Sequence, residues 1–131
     1  MSLNAKGVII KVSRCSVEVT STRLIQLLNR RNAKIYVDID QQHELREAGR
    51  EIPPMRFILF GNPATGGEII ENSAVAALDL PLKLLIWEDG NGCVRIAWND
   101  PNYLGKRFQF HEKLSVKLNL EPIVDQLLAG Q

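Results

Sequence analysis

Apolar and polar positions alternate along this chain in a way that divides it into short strands and helices. Val8, Ile10 and Val12 fall on one side of a strand spanning Gly7 to Ser13, with Ile9 and Lys11 on the other. From Val17 the period lengthens. Val17, Thr20, Leu24, Leu27 and Leu28 recur at three- and four-residue spacing, which predicts a helix capped by Ser16 and ending near Asn32. Arg23, Arg30 and Arg31 lie mostly off that stripe and read as a solvated face whose late cations complement the helix dipole, in preference to an anion site. Strict alternation returns in Lys34 to Ile39, placing Ile35, Val37 and Ile39 toward a core and Tyr36, Asp38 and Asp40 on the other side. Asp40 stands where a helix cap belongs, Gln41 to Ala48 is the short helix it starts, and Gly49 suits its end. Pro53-Pro54 stops that helix and leads into a strand from Met55 to Phe60.

The second half opens with Gly61 to Glu68, a glycine-rich turn that begins a helix of about one or two turns. A strand from Lys83 to Glu88 then meets the hairpin turn Asp89-Gly90-Asn91-Gly92. A two-residue turn, at Gly90-Asn91 or Asn91-Gly92, puts Leu85 and Trp87 on one apolar face with Val94, Ile96 and Trp98, so both tryptophans are expected in the core. Leu84, Ile86 and Glu88 then share the opposite face with Cys93, Arg95 and Ala97, and one register sets Glu88 across from Arg95. Asn99 to Asn102 reads as a turn, Tyr103 and Leu104 as packing back on the sheet, and Lys106 to Phe110 as a short edge segment. A helix from Glu121 to Leu128 closes the chain, with Pro122 in its first turn and Ile123, Val124, Leu127 and Leu128 inward. There is no internal repeat, low-complexity tract or linker, so the 131 residues read as a single domain in which residues 1–6 are expected to be poorly ordered. Strands outnumber helices and the hairpin is antiparallel, which makes the fold class α+β rather than doubly wound.

Composition narrows the function. Sixteen basic residues against fifteen acidic give a net charge of +1, which argues against nucleic acid or an anionic membrane as partner. Ala74 to Leu85 is interrupted by Asp79, Pro81 and Lys83, and no segment approaches the roughly 20 apolar residues that span a bilayer. Gly7 to Val12 is too short and too charged for a secretory signal. Cys15 and Cys93 stand far apart without C-x-x-C or paired histidines, so neither a disulfide framework nor a zinc site is expected, and the cytoplasm is the expected compartment.

The candidate chemistry is sparse. Gly61 to Gly67 matches the first half of the phosphate-loop pattern, but Gly67 and Glu68 replace its lysine and hydroxyl residue, which removes nucleotide hydrolysis. What remains is a helix-start turn whose N–H groups suit a carboxylate or phosphate. Asp38, Asp40, Glu88 and Asp89 gather only if two strand ends converge, and each has a local role as solvated residue, cap, partner of Arg95 or turn residue. His43 and His111 lack a ligand companion and read as surface or capping residues, no metal is expected, and the sequence leaves any cofactor unknown.

Phe60-Gly61-Asn62-Pro63, then Leu78-Asp79-Leu80-Pro81-Leu82, then Trp87-Glu88-Asp89 and the closing Asn99-Asp100-Pro101 resemble domain-of-unknown-function family 302. The likeness extends to Thr20 and Leu24 of the first helix and to Ile39-Asp40. It implies an α+β fold similar to the TATA-box-binding-protein-like arrangement, with helices packed on one face of a curved, mainly antiparallel sheet. It implies no activity. The family pattern places a histidine after Ile-Asp, where this chain has Gln41, with His43 two residues later. Gln41 cannot titrate but can hydrogen-bond a ligand.

Three functions are therefore expected in competition. The first is a small self-associating module, a homodimer, that holds an anionic or polar small molecule in a cleft lined by Asp40, Gln41, Asn62, Gly66 and Gly67. The second is an enzyme using Asp40 and His43 as an acid/base pair near Glu88. The third is a protein-interaction domain without a ligand.

Overall fold

The computed structural model describes residues 5–131, and the expectation for residues 1–4 lies outside the described residues. The Ala5 carbonyl accepts the Val8 N–H at 3.1 Å, so the described chain begins in a formed turn. Five strands, β1 (Val8–Ser13), β2 (Lys34–Asp40), β3 (Met55–Gly61), β4 (Leu82–Glu88) and β5 (Val94–Asn99), make one antiparallel sheet in the order β1-β5-β4-β3-β2. The α+β class is as expected.

β1 and β2 follow one another in sequence but occupy opposite edges, so α1 (Val17–Arg30) must carry the chain across the sheet. Its 14 residues at about 1.5 Å each span roughly 21 Å, and four inter-strand gaps at about 4.8 Å come to roughly 19 Å. One helix length therefore matches one sheet width. The Ser16 hydroxyl accepts the Val19 N–H at 3.1 Å to start this helix, and Asn32, at φ 59°, turns the chain out of it. Thr20, Leu24 and Leu28 are buried, and α6 (Glu121–Ala129) adds Ile123, Val124 and Leu127 beside them. Ile58, Phe60, Leu84, Ile86, Ile96 and Trp98 meet this layer from the sheet. Lys11 ties the β1 edge to α6 through Glu121 at 3.1 Å and Asp125 at 2.5 Å.

A second cluster forms beyond the end of the sheet at which β3 stops and β4 begins. It joins Ile69 of α3 (Pro63–Asn72), Ala76 of a 3-10 segment (Ala74–Asp79), Leu104 and Phe108 of α4 (Pro101–Phe108), and Leu114 of α5 (Glu112–Val116), with Phe110 and Leu118. A Cβ on Gly105 would stand 2.5 Å from the Ser115 hydroxyl, so a larger residue there would force that side chain to move. The short helix α2 (Gln41–Glu47) joins β2 to β3 and buries no residue.

Three expectations are corrected. The hairpin loop has three residues, not two: the Asp89 N–H donates to the Cys93 carbonyl at 2.8 Å, and Gly92 takes φ 80°. The Asp89 carboxylate accepts the N–H groups of Asn91 at 2.9 Å and Cys93 at 3.0 Å, which holds the wider loop. One extra residue moves every β5 side chain to the other face. Trp87 therefore lies opposite Arg95, Glu88 opposite Val94, and only Trp98 enters the core. In β2, Ile35 pairs with Phe60 and Val37 with Leu59, so Tyr36 is a bulge. Ile35 keeps its place on the core side, but Val37 and Ile39 turn to the face away from α1 and α6, with Phe57, Leu59 and Leu85. Finally, Lys106 to Phe108 is helical and not an edge strand. Asp100 caps α4 ahead of Pro101, and the His111 ring accepts the Lys113 N–H at 3.0 Å to cap α5.

The loop predicts a pH dependence. The Cys93 and Asn91 amides, with Arg95 adding to them, hold the Asp89 carboxyl below its ordinary value of 3.8. A depressed folded value contributes stability above that pH, and the contribution is lost as pH falls through the folded value. Urea midpoints from about pH 5 down to about pH 2 are expected to fall less steeply for Asp89→Asn than for the wild type. Parallel acid limbs would show that the loop does not depend on this carboxylate.

Candidate functional site

The two clusters do not fuse. Between them lies a cavity of about 430 Å³, within the roughly 300–1,000 Å³ typical of small-ligand sites. Leu28, Phe60 and Ile123 of the main core line it together with Leu80 and Leu118 of the second cluster and with Leu82, which packs against both. Tyr36, Asn62, Thr65 and Asn119 bring polar groups to the lining. The β2 bulge is what re-aims Tyr36, whose ring lies 3.9 Å from the place a Gly61 Cβ would occupy. A Cβ on Gly61 would also stand 3.3 Å from that of Pro81, a tight contact that Pro81 could relieve only by shifting a few tenths of an ångström.

The electrostatics are one-sided. Arg31 and Lys117 line the cavity, each at the C-terminal cap of its helix, and no lining residue is acidic. Lys117 reaches Glu68 across the lip at 2.9 Å, whereas the Arg31 guanidinium donates to the neutral Gln126 amide oxygen at 3.1 Å. A second depression, between α4 and α5, carries both Lys106 and Glu112 and has only Phe110 as a large apolar wall.

The glycine run proves to be helix and not an open phosphate-type turn. Asn62 caps α3 by accepting the Ala64 N–H at 3.0 Å, and the Gly66 N–H donates to the Asn62 carbonyl at 2.9 Å. That amide is therefore spent inside the helix. Gly66 and Gly67 still line the cavity, and a Cβ on either would meet nothing within 4 Å. Glycine inside a helix costs roughly 1 kcal/mol relative to alanine. Neither fold nor packing asks for these two.

Of the expected cleft residues, Asn62, Gly66 and Gly67 gather at this cavity, and Asp40 and Gln41 do not. Gly61 pairs with Lys34 and Asp40 with Arg56, so five residues of β3, roughly 17 Å at about 3.3 Å each, separate the two ends. The Asp40 carboxylate accepts the His43 N–H at 3.0 Å as the cap of α2. The exposed His43 ring faces Glu47 at 3.8 Å, and Glu88 lies on β4, two strands from β2. None of Asp40, His43 and Glu88 lines the cavity. Asp38 is held by Arg56, whose Nε donates at 2.9 Å and whose pKa that bond raises. Among the described residues no three His, Cys, Asp or Glu side chains stand together as a metal site.

The sequence reading missed Arg31, Tyr36, Lys117 and Asn119 as lining residues. Arg31 was assigned to a solvated face, Tyr36 was hidden by the bulge, and the other two follow α5, which left no clear pattern of its own.

A family model described as Domain of unknown function DUF302 matches residues 9–127. Two relatives named Fluoride-specific ion channel FluC 1, from Brucella suis biovar 1 (strain 1330) and Brucella abortus biovar 1 (strain 9-941), are 34% identical over 106 residues. That match covers 81% of this chain and 42% and 39% of theirs. The chain thus spans about two fifths of the length of the curated relatives it matches. The crystal structure of an uncharacterized conserved protein DUF302 from Bacillus stearothermophilus shares the fold, with a TM-score of 0.78 at 19% identity over 95% of this chain and 98% of that one.

Asp40→Ala separates a cap from a site. The change is expected to lower stability by roughly 0.5–2 kcal/mol in urea unfolding and to leave the affinity of any cavity ligand unaltered. Lost affinity in a folded variant would bring Asp40 back into the site.

Proposed function

The chain belongs to the DUF302 family of domains of unknown function, and within it we propose that this protein is a small cytoplasmic binding module for an anionic small molecule. The observation that carries the proposal is the cavity between the two clusters, which has Arg31 and Lys117 in its lining and no carboxylate. An anion there meets Arg31 with no acid on it, while Lys117 is shared with Glu68 at the lip. Two free, separated thiols, Cys15 and Cys93, are in keeping with a reducing compartment. Fluoride conduction, in the names of the longer relatives, is not carried over, because this chain spans only about two fifths of their length.

Self-association is a second part of this reading. The sheet face away from α1 and α6 presents Val12 at 51% and Val37 at 39% exposure, alongside half-buried Phe57, Leu59 and Trp87. Among the described residues both edge strands are free of a further strand, and a second copy is the simplest cover for such a face.

Native mass spectrometry of the protein from its own cells, followed by a thermal-shift screen of carboxylates and phosphates, tests the ligand. A stabilising anion is expected, with its shift reduced several-fold in the Arg31→Gln, Lys117→Gln double variant. An equal shift in that variant would place the anion elsewhere. For self-association, sedimentation should give a dimer that Val37→Glu dissociates, and a wild-type monomer at every concentration ends that part of the reading.

A further inference from the structure

We propose that the cavity takes an amphipathic carboxylate, with its apolar body running over Gly66 and Gly67 and its carboxylate on Arg31. This rests on the anion-binding reading and specifies the ligand class.

Three independent features point to it. The cavity walls are largely aliphatic or aromatic, with Leu28, Phe60, Leu82 and Leu118 among them. A compact, fully hydrated anion such as phosphate would lose water against these walls without gaining partners. An apolar chain replaces that water at a gain.

The glycine pair is the second feature. Both residues are helical, neither has positive φ, and a Cβ on either would enter open space. A helix that accepts two weakening residues where side chains would fit is keeping volume free, and the volume kept free belongs to the cavity. Close approach of a ligand to the backbone is the use that glycine serves at such a position.

The third is the lip. Ile70, on the same helix, lines the cavity while 39% exposed, which is an apolar surface left in water at the entrance. Arg31, by contrast, has spent a guanidinium N–H only on a neutral amide, and it forms none of the ion pairs among the described residues. A planar fork with donors to spare suits a carboxylate, which it can hold through two parallel bonds.

The test is calorimetric titration with decanoate, decanol and inorganic phosphate. It uses the wild type, Gly66→Leu, Gly67→Leu and Arg31→Gln. Decanoate is expected to bind the wild type, decanol more weakly, and phosphate weakest. Either leucine fills the kept space, so decanoate affinity should fall at least tenfold while the melting temperature holds or rises, leucine being the better helix former. That opposition of signs distinguishes a blocked site from a damaged fold. Arg31→Gln should bring decanoate down to the level of decanol. Phosphate binding without decanoate binding would overturn the amphipathic assignment and leave the anion module standing. Decanoate bound equally well by both leucine variants would remove the glycine path. Silence from all three probes, joined by silence in the wider anion screen, would remove both readings.

Discussion

The structure depends on α1 crossing from one edge of the sheet to the other. Because β1 and β2 are the outermost strands, the three strands that follow must enter between them, and they do so as an antiparallel run beneath a helix already in place. Leu24 and Leu28 lose essentially all contact with solvent in that crossing, and side chains of this kind cost roughly 2–5 kcal/mol when cut back to alanine. A polar knot fixes the corner where the crossing starts. The Ser13 hydroxyl meets Thr20 at 2.7 Å, accepts the Cys15 N–H at 3.2 Å, and receives the Gln131 side chain at 2.7 Å. The last residue of the chain is thereby tied to the first strand.

What the pattern of residues revealed, and what it hid, follows from the range of the interactions involved. Ser16, Asp40 and the helices they start, α1 and α2, were legible because a cap is a contact within three residues, and α6 was legible from Pro122 and its apolar stripe. The strands were legible because alternation is local. The faces were not. A single bulge at Tyr36 and a single extra loop residue before Cys93 leave the alternation intact while reversing its meaning, and Trp87 and Val37 are the residues they displaced. The hairpin was decided by the Asp89 side chain choosing amides two and four residues ahead, a competition that Gly90-Asn91-Gly92 does not settle alone. The Asp100-Pro101 pair did announce α4, as an aspartate cap followed by proline in the first turn, and was read as a plain turn.

The candidate site was half legible for the same reason. Asn62, Gly66 and Gly67 are neighbours in sequence, so their gathering needs no knowledge of the fold. Arg31 and Lys117 lie 86 positions apart and converge only because α1 and α5 both end at the same cavity. The glutamine that stands in place of the family's histidine at Gln41 drew attention to the far end of β2, where capping occupies Asp40. A fold shared with a Bacillus protein at 19% identity fixes the sheet and leaves the chemistry to be argued from the cavity itself.

Two clusters with a cavity between them have a consequence for cooperativity. The α3 to α5 cluster touches the main core chiefly through Leu82, which packs against both. Opening it leaves most of the buried face of α1 intact, so its amides should exchange hydrogen faster than those of β3, β4 and α1. Any molecule seated between the clusters must lose its contacts with one of them for that opening to occur. Occupancy would then be read at a distance, as slowed exchange in α4, a helix whose residues do not touch the cavity.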